Sequence, residues 1–225
     1  DDTALNRETL QRARRILDAD GKPRRIDMHS FNHNHSVCRR ACSAVMYMEL
    51  FPYFDTLWYG ESFMPDTPPE YWLTEMSGIP YGLMGEMLAR GGNVYRGMLF
   101  GMTQRLHGGD PRGLWEFFEK ENLGAAELVG FWDRSSPVKV ADNAEIKASV
   151  YRLPNQVFVA VANFSGDAQT GRLSIDWQAL KMSEGKARAS VPAIKKFQEG
   201  TDSFDMNRPL TLPGSKGVLF MMRDV

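Results

Sequence analysis

Residues 146–162 read IKASVYRLPNQVFVAVA, a stretch that predicts two β-strands joined by a turn. Pro154 and Asn155 are typical turn residues between the two runs. Residues 157–162 are apolar on both faces of a strand, as in the central strand of a sandwich. In the first run apolar residues alternate with the period of a strand that buries one face: Ile146, Ala148 and Val150. This stretch therefore predicts that the surrounding part of the chain is all-β.

Further strand signals follow on the C-terminal side of that stretch. The alternation recurs at Leu173, Ile175 and Trp177, and turn residues separate it from the later runs. Those later apolar runs cover residues 187–191, 194–197, 210–212 and 217–222. About seven short strands with this spacing predict a small antiparallel β-sandwich domain over residues 134–225, with no strong helix.

On the N-terminal side, strand and helix signals alternate instead. Strands are predicted at residues 24–29, 55–60 and 95–103. Helices are predicted from Asn6 onward, over residues 37–51, from the capping box at residues 67–70, over residues 80–89 and from Asp110-Pro111. This order predicts βα units with parallel strands. Since three strands cannot close an eight-stranded barrel, residues 1–133 form either a small open sheet or the C-terminal portion of a (β/α)8 TIM-type barrel. The predicted fold class is α/β plus all-β.

Composition bounds the class of partner. Of the 225 residues, 43% are hydrophobic and 24% are charged, a composition that suits a packed core. The net charge of −1 argues against nucleic acid or an acidic membrane surface as the main partner. No apolar run approaches the roughly 20 residues that cross a bilayer. The sequence opens on Asp1-Asp2 with no initiator Met or signal peptide, so we expect an internal or processed start.

Polar residues follow the first two predicted strands. Asp27 and His29 are two residues apart and point the same way near the end of the first strand, where parallel α/β folds build their sites. Glu61 holds the matching position after the second strand. Paired carboxylates across a cleft suit glycosidic bond cleavage, and Trp58, Tyr59 and Phe63 would form apolar walls for a sugar ring. The alternative is that Asp27 and Glu61 cap turns and His29 bonds to a backbone carbonyl.

A metal site is a competing interpretation of the histidine cluster. His33 and His35, with Asp27 or His29 nearby, offer ligands that zinc or iron accepts. Such sites need further ligands on later strands, and His107 is the remaining histidine. We therefore favour solvated loop histidines and predict neither a metal nor a cofactor. Cys38 and Cys42 are four residues apart on a predicted helix and are expected to be reduced.

Several segments resemble glycoside hydrolase family 123-like proteins. They are residues 27–30, 57–61, 71–73, 77–87, 95–103 and 114–132. The resemblance implies a large (β/α)8 catalytic barrel followed by a small β-sandwich, acting on glycans. It further implies β-N-acetylgalactosaminidase chemistry with substrate-assisted catalysis. In that chemistry the acetamido group of the sugar is the nucleophile, an adjacent Asp-Glu pair orients it, and the Glu is the general acid.

The sequence departs from that pattern because it contains no Asp-Glu dipeptide. The resemblance places the catalytic pair upstream of this chain, which then represents the last βα units and the sandwich, and is expected to be inactive alone. Residues carried over as sugar contacts or their supports are Asp27, His29, Asn32, Tyr59 and Glu61, and whether Glu61 is catalytic stays open. The alternatives are a non-catalytic carbohydrate-binding or structural module and a metal-dependent barrel hydrolase. A glycan substrate further predicts a secreted or periplasmic location.

Overall fold

The structure is a computed structural model that describes residues 2–29, 48–59, 84–85, 94–101 and 110–224. The chain divides into two compact units, Asp1–Gly85 and Glu86–Val225, and each is described by itself. The predicted domain division between residues 133 and 134 stays a prediction. No helix among the described residues is long and apolar enough to cross a membrane.

The first unit contains a helix and a parallel sheet. Helix α1 (Asp2–Asp18) begins before Asn6 and is therefore longer than the sequence predicts. It ends ahead of Gly21, whose φ of 69° lies in the left-handed region that glycine adopts readily. The sheet has the order β1-β2-β3, and both pairings are parallel, as predicted from the βα pattern. The elements are α1 (Asp2–Asp18), β1 (Asp27–His29), a 3-10 helix (Met48–Tyr53), β2 (Thr56–Tyr59) and β3 (Met84–Gly85).

The third predicted strand is wrong. Residues 95–103 are predicted to be a strand, but Val94–Met98 forms helix α2. Tyr95, Met98, Leu99 and Phe100 are all buried, so this segment lies in the core of the second unit. The third parallel strand is β3, which lies inside the segment predicted as helical at residues 80–89.

The second unit continues with helix α3 (Arg112–Lys120), which follows Pro111 as predicted, and a 3-10 helix (Leu123–Ala125). Its strands are β4 (Glu127–Val129), β5 (Val138–Val140), β6 (Ile146–Leu153), β7 (Gln156–Asn163), β8 (Gln169–Gly171), β9 (Leu173–Ile175), β10 (Ala187–Ser190), β11 (Leu210–Leu212) and β12 (Gly217–Asp224). The main sheet is antiparallel and has five strands in the order β10-β12-β7-β6-β4. Two separate two-stranded antiparallel ribbons pair β8 with β11 and β5 with β9.

The five-stranded sheet is buried on both faces. One face packs against the two ribbons and includes Val150, Val159 and Phe220, which share one cluster with Val138 of β5 and Leu212 of β11. The other face packs against α2 and α3. There the rings of Phe158 and Phe117 meet edge to face at 5.7 Å, and Tyr151 similarly meets Phe118 at 6.1 Å. This double burial explains why residues 157–162 are apolar on both faces.

Two predicted strand segments of this unit differ from the structure. The first is a strand only at residues 173–175, which form β9, and the second, residues 194–197, is not a strand. Trp177 opens a single helical turn, α4 (Trp177–Leu180), because Asp176 caps it by accepting a hydrogen bond from the N–H of Ala179 at 2.9 Å. Residues 194–197 form a turn closed by hydrogen bonds between Ile194 and Gln198, with Lys196 at a φ of 60°. Local turn chemistry overrides the apolar pattern at both places.

Candidate functional site

Two of the predicted strand ends lie side by side in the first unit. β1 pairs with β2 in parallel, with Asp27 opposite Thr56 and His29 opposite Trp58. Since parallel strands end at the same edge of a sheet, the chain leaves both strands on one side. His29 and Tyr59, the last residues of β1 and β2, therefore lie at the same edge of the sheet.

Strand β1 is shorter than the predicted strand at residues 24–29. The prediction that Asp27 lies at the C-terminal end of its strand is wrong, because Asp27 is the first residue of β1 and His29 is the last. Asp27 is exposed and lies about 6.6 Å along the strand from His29, at 3.3 Å per residue. Glu61 and Asn32 lie outside the described residues, as does Phe63. The cleft between Asp27 and Glu61 therefore stays a prediction.

The register separates the two aromatic positions of β2. Trp58 pairs with His29 on one side and with Met84 on the other, whereas Tyr59 pairs with Gly85. Because successive residues of a strand alternate between the faces of its sheet, the Tyr59 position lies on the face opposite to that of Trp58 and His29. Trp58 and Tyr59 are equivalent in the sequence pattern, and the register distinguishes their positions.

The start of the two strands is held by an ionic contact that the sequence analysis missed. The carboxylate of Asp55 accepts hydrogen bonds from the N–H of Ile26 at 2.8 Å and from the guanidinium of Arg14 on α1. The Ile26 N–H, followed by Arg14, lowers the pKa of Asp55 below its usual value. Arg14 also donates to the carbonyl oxygens of Tyr53 at 3.0 Å and Arg24 at 3.3 Å. One arginine thus ties α1 to the segments that enter β1 and β2.

The predicted metal site depends on two histidines that follow β1 in the sequence. His33 and His35 lie outside the described residues. Within the residues that are described, no group of three or more His, Cys, Asp and Glu side chains converges as metal ligands would.

An open groove of about 570 Å³ lies at the end of the sheet where β6 turns into β7. Its charged groups are of both signs, and Arg152 donates to Glu127 at 3.2 Å. The Nε of Arg152 is buried and has no hydrogen-bond partner among the described residues. None of the lining residues is aromatic: Ala125, Glu127, Arg152, Leu153, Pro154, Asn155, Gln156, Val157, Leu180, Lys181, Met182 and Asp224. This groove has no flat apolar surface on which a sugar ring could stack.

Two protein-family models match consecutive parts of the chain. The model of the glycoside hydrolase 123 TIM-barrel domain matches residues 1–107. The model of the glycoside hydrolase 123 C-terminal domain matches residues 110–223. No protein with curated annotation matches the chain.

Solved structures give a more distant likeness. A family 27 β-L-arabinopyranosidase from Geobacillus stearothermophilus, in complex with arabinose, is 10% identical with a TM-score of 0.51, over 97% of this chain and 55% of that one. A GH30 endoxylanase from Clostridium papyrosolvens is 11% identical with a TM-score of 0.36, over 78% of this chain and 50% of that one. Trehalose-6-phosphate hydrolase from Bacillus licheniformis is 12% identical with a TM-score of 0.33, over 50% and 18%. The chain thus spans at most 55% of the length of these three proteins. The likeness to the arabinopyranosidase concerns the fold alone.

Proposed function

The chain belongs to glycoside hydrolase family 123, and from that premise we propose that the whole protein cleaves glycosidic bonds of N-acetylhexosaminides. The observation that carries the proposal for this chain is the parallel pairing that sets His29 opposite Trp58. Strand ends at one edge of a parallel sheet are where barrel enzymes hold their catalytic groups. We further propose that β1, β2 and β3 belong to a (β/α)8 barrel.

The proposed reaction is substrate-assisted. The acetamido oxygen of the sugar attacks the anomeric carbon while a carboxylic acid protonates the departing oxygen, and water then opens the cyclic intermediate. Such a reaction needs carboxyl groups whose protonation states differ, together with a surface that excludes water from the sugar. The chain contains no adjacent Asp-Glu pair for the first task.

The residues of this chain receive roles in that scheme. Glu61 is proposed as an acid or as a stabilising carboxylate, and Asp27 as the second carboxylate. His29 and Asn32 are proposed to hydrogen-bond to sugar hydroxyl groups, and Trp58 and Tyr59 to contact the apolar face of the ring. The exposure of Asp27 at the start of β1 supports a group that can reach solvent and substrate. A secreted or periplasmic location is proposed with the glycan substrate.

The proposal is tested by assaying the whole protein against a panel of chromogenic aryl glycosides with and without an acetamido group. We expect turnover of the β-N-acetylhexosaminides and little or none of the matching hexosides, because those lack the internal nucleophile. A thioamide analogue of the acetamido group should inhibit competitively. Equal turnover of both sugar classes would contradict the substrate-assisted scheme, and no turnover across the panel would contradict the hydrolase.

A non-catalytic carbohydrate-binding protein is the second candidate. The observation that favours it is the absence of an Asp-Glu dipeptide from the chain. It predicts that the whole protein binds acetamido sugars, as measured by calorimetry, and leaves every glycosidic bond of the panel intact after prolonged incubation. Product release detected by chromatography would decide for the enzyme.

A further inference from the structure

The second unit carries an exposed tryptophan in a rigid aromatic frame. Trp132 is 44% exposed, although it packs on other rings. Its indole lies nearly parallel to the buried ring of Phe100, at 13° and 6.0 Å between centroids, and Phe131 meets it edge to face at 5.2 Å. These contacts fix the orientation of the indole and leave a large part of it in contact with solvent.

Gly130 shows how closely the indole lies on the backbone. A Cβ atom at Gly130 would sit 2.4 Å from two carbons of the six-membered ring, a distance at which something must shift. The ring therefore rests directly over the glycine. The next residue is held as well, because Ser149 Oγ accepts the N–H of Phe131 at 2.9 Å and donates to the Leu99 carbonyl at 2.8 Å. The platform is thus organised before any ligand arrives, which lowers the entropic cost of binding.

Two charged residues are close to the aromatic group formed by Phe100, Phe131 and Trp132, one by sequence and one by contact. Asp133 follows it in the chain and is exposed, and its Oδ1 accepts hydrogen bonds from the N–H and the hydroxyl of Ser135 at 2.8 and 2.7 Å. Lys147 places its Nζ 5.9 Å from the centroid of the Phe131 ring. A flat apolar surface with donors and acceptors at its rim matches a pyranose, which has an apolar C–H face and a hydroxyl rim.

We propose that Trp132 is a stacking platform for a sugar ring of a glycan chain, with Phe131, Asp133 and Lys147 at its rim. The inference rests on the proposed function for the choice of a glycan, and it assigns this residue a binding role without a part in bond cleavage. Trp132 differs from a singly exposed side chain because it forms one patch with Phe100 and Phe131, and exposed apolar patches commonly mark interaction sites. The groove lined by Arg152 and Glu127 lacks such a ring.

The test measures the retention of the whole protein in native gels that contain chondroitin, whose backbone includes N-acetylhexosamine units. Trp132→Leu keeps an apolar side chain against Phe100 but removes the planar ring, and Trp132→Tyr keeps a ring. Trp115→Leu is the matched control, since Trp115 on α3 is another exposed tryptophan, at 37%. We expect about tenfold weaker binding for Trp132→Leu, a change within about threefold for Trp132→Tyr, and wild-type binding for Trp115→Leu.

Three results would overturn the inference: wild-type retention of Trp132→Leu, an equal loss in Trp115→Leu, or no retention of the wild-type protein. Sedimentation of the wild-type protein as a dimer that Trp132→Leu dissociates would also overturn it, because the ring would then serve a second copy. Hydrolysis of a single-sugar aryl glycoside is measured in parallel. If retention depends on Trp132 but no hydrolysis occurs, only the proposed hydrolase function is contradicted. If hydrolysis occurs but the protein is not retained, only the stacking role of Trp132 is contradicted.

Discussion

Asp55 and Ile26 are joined by a reciprocal pair of hydrogen bonds. The N–H of Asp55 donates to the carbonyl of Ile26 at 2.9 Å, and the Asp55 carboxylate accepts the N–H of Ile26 at 2.8 Å. The pair lies one residue before the first ladder position, where Asp27 faces Thr56. It therefore fixes the register that sets His29 opposite Trp58.

Replacing Asp55 should destabilise the first unit. Asp55→Ala removes the acceptor for Ile26 and the ionic partner of Arg14, and we expect a loss of about 1–2 kcal/mol in the free energy of unfolding, measured by urea denaturation. Asp18→Ala is the control. Asp18 lies 4.0 Å from the same guanidinium but is 61% exposed in its side chain, so its loss should be under about 0.5 kcal/mol. Equal losses of stability in the two variants would contradict the role given to the hydrogen bond between the Asp55 carboxylate and the N–H of Ile26.

Acid should weaken the second unit through Asp110. Its Oδ1 accepts from Arg112 at 2.7 Å and its Oδ2 from Lys196 at 2.7 Å, and these two contacts lower the pKa of Asp110. A carboxyl with a lowered folded pKa contributes stability above the unfolded pKa of about 4, and that contribution is lost as pH falls through the folded pKa. Thermal midpoints should fall less steeply below pH 4 in Asp110→Asn than in the wild-type protein. Asp202→Asn, at an exposed position, should retain the wild-type slope.

The two faces of the five-stranded sheet should be equally sensitive to truncation. Phe158 faces the helices and Phe220 faces the ribbons, and both are 0% exposed. Phe158→Ala and Phe220→Ala should each cost about 3–5 kcal/mol in the free energy of unfolding. Ser174→Ala on the exposed side of β9 should change it by less than about 0.5 kcal/mol. A small effect at Phe158 alone would mean that the helices leave that face open.

Hydroxyl groups on the sheet should hold the end of helix α2. Tyr151 donates to the carbonyl of Met98, and burial raises the pKa of its phenol, which keeps the hydroxyl protonated. Ser149→Ala leaves the Leu99 carbonyl and the Phe131 N–H without this partner and should cost about 1–3 kcal/mol. Tyr151→Phe should cost about 1–2 kcal/mol by the same measurement, because one hydrogen bond is lost. Thr170→Val removes a solvent-exposed hydrogen bond, 2.8 Å long, to the Thr211 hydroxyl and should cost less than about 0.5 kcal/mol, because water can replace it.

Removing the proposed carboxylates should lower activity without unfolding the protein. Glu61→Gln should reduce kcat of the whole protein on an aryl N-acetylhexosaminide by about 10²–10⁴-fold if Glu61 exchanges a proton with substrate. Asp27→Asn should lower it too, and both variants should unfold at wild-type temperatures. Glu119→Gln, on an exposed position of α3, is the matched control. Wild-type kcat in Glu61→Gln would remove this residue from the chemistry.

The β part of the chain was predictable because its period and turns agree. Apolar alternation gives the start of β6, and the apolar run at residues 157–162 lies within one residue of both ends of β7. Pro154-Asn155 marks the turn between them, although β6 continues three residues beyond Val150. Pro111 likewise marks the start of α3. In these segments local preference and tertiary burial point to the same structure, which is the condition under which sequence patterns succeed.

Other features depend on contacts between segments distant in sequence. Residues 94–98 have the composition of a strand, and they are helical because Tyr95 and Met98 pack on the sheet in one helical turn. The link between Arg14 and Asp55 spans 41 residues, and no local motif marks it. At the candidate site, the polar residues after two predicted strands can share a cleft only if the strands are neighbours, and the parallel ladder shows that β1 and β2 are neighbours. The cleft itself stays a prediction. Which aromatic position shares the face of His29 required the register.

The strand order of the larger sheet has a consequence for synthesis. β7 has β6 on one side and β12 on the other, and β12 is made last of the five. A nascent chain that has reached residue 210 can form the β6–β7 hairpin, but one long edge of β7 has no partner and the core lacks Phe220 and Met222. β12 must therefore emerge from the ribosome before the sheet can close. Until then the β7 edge is open to pairing with other chains.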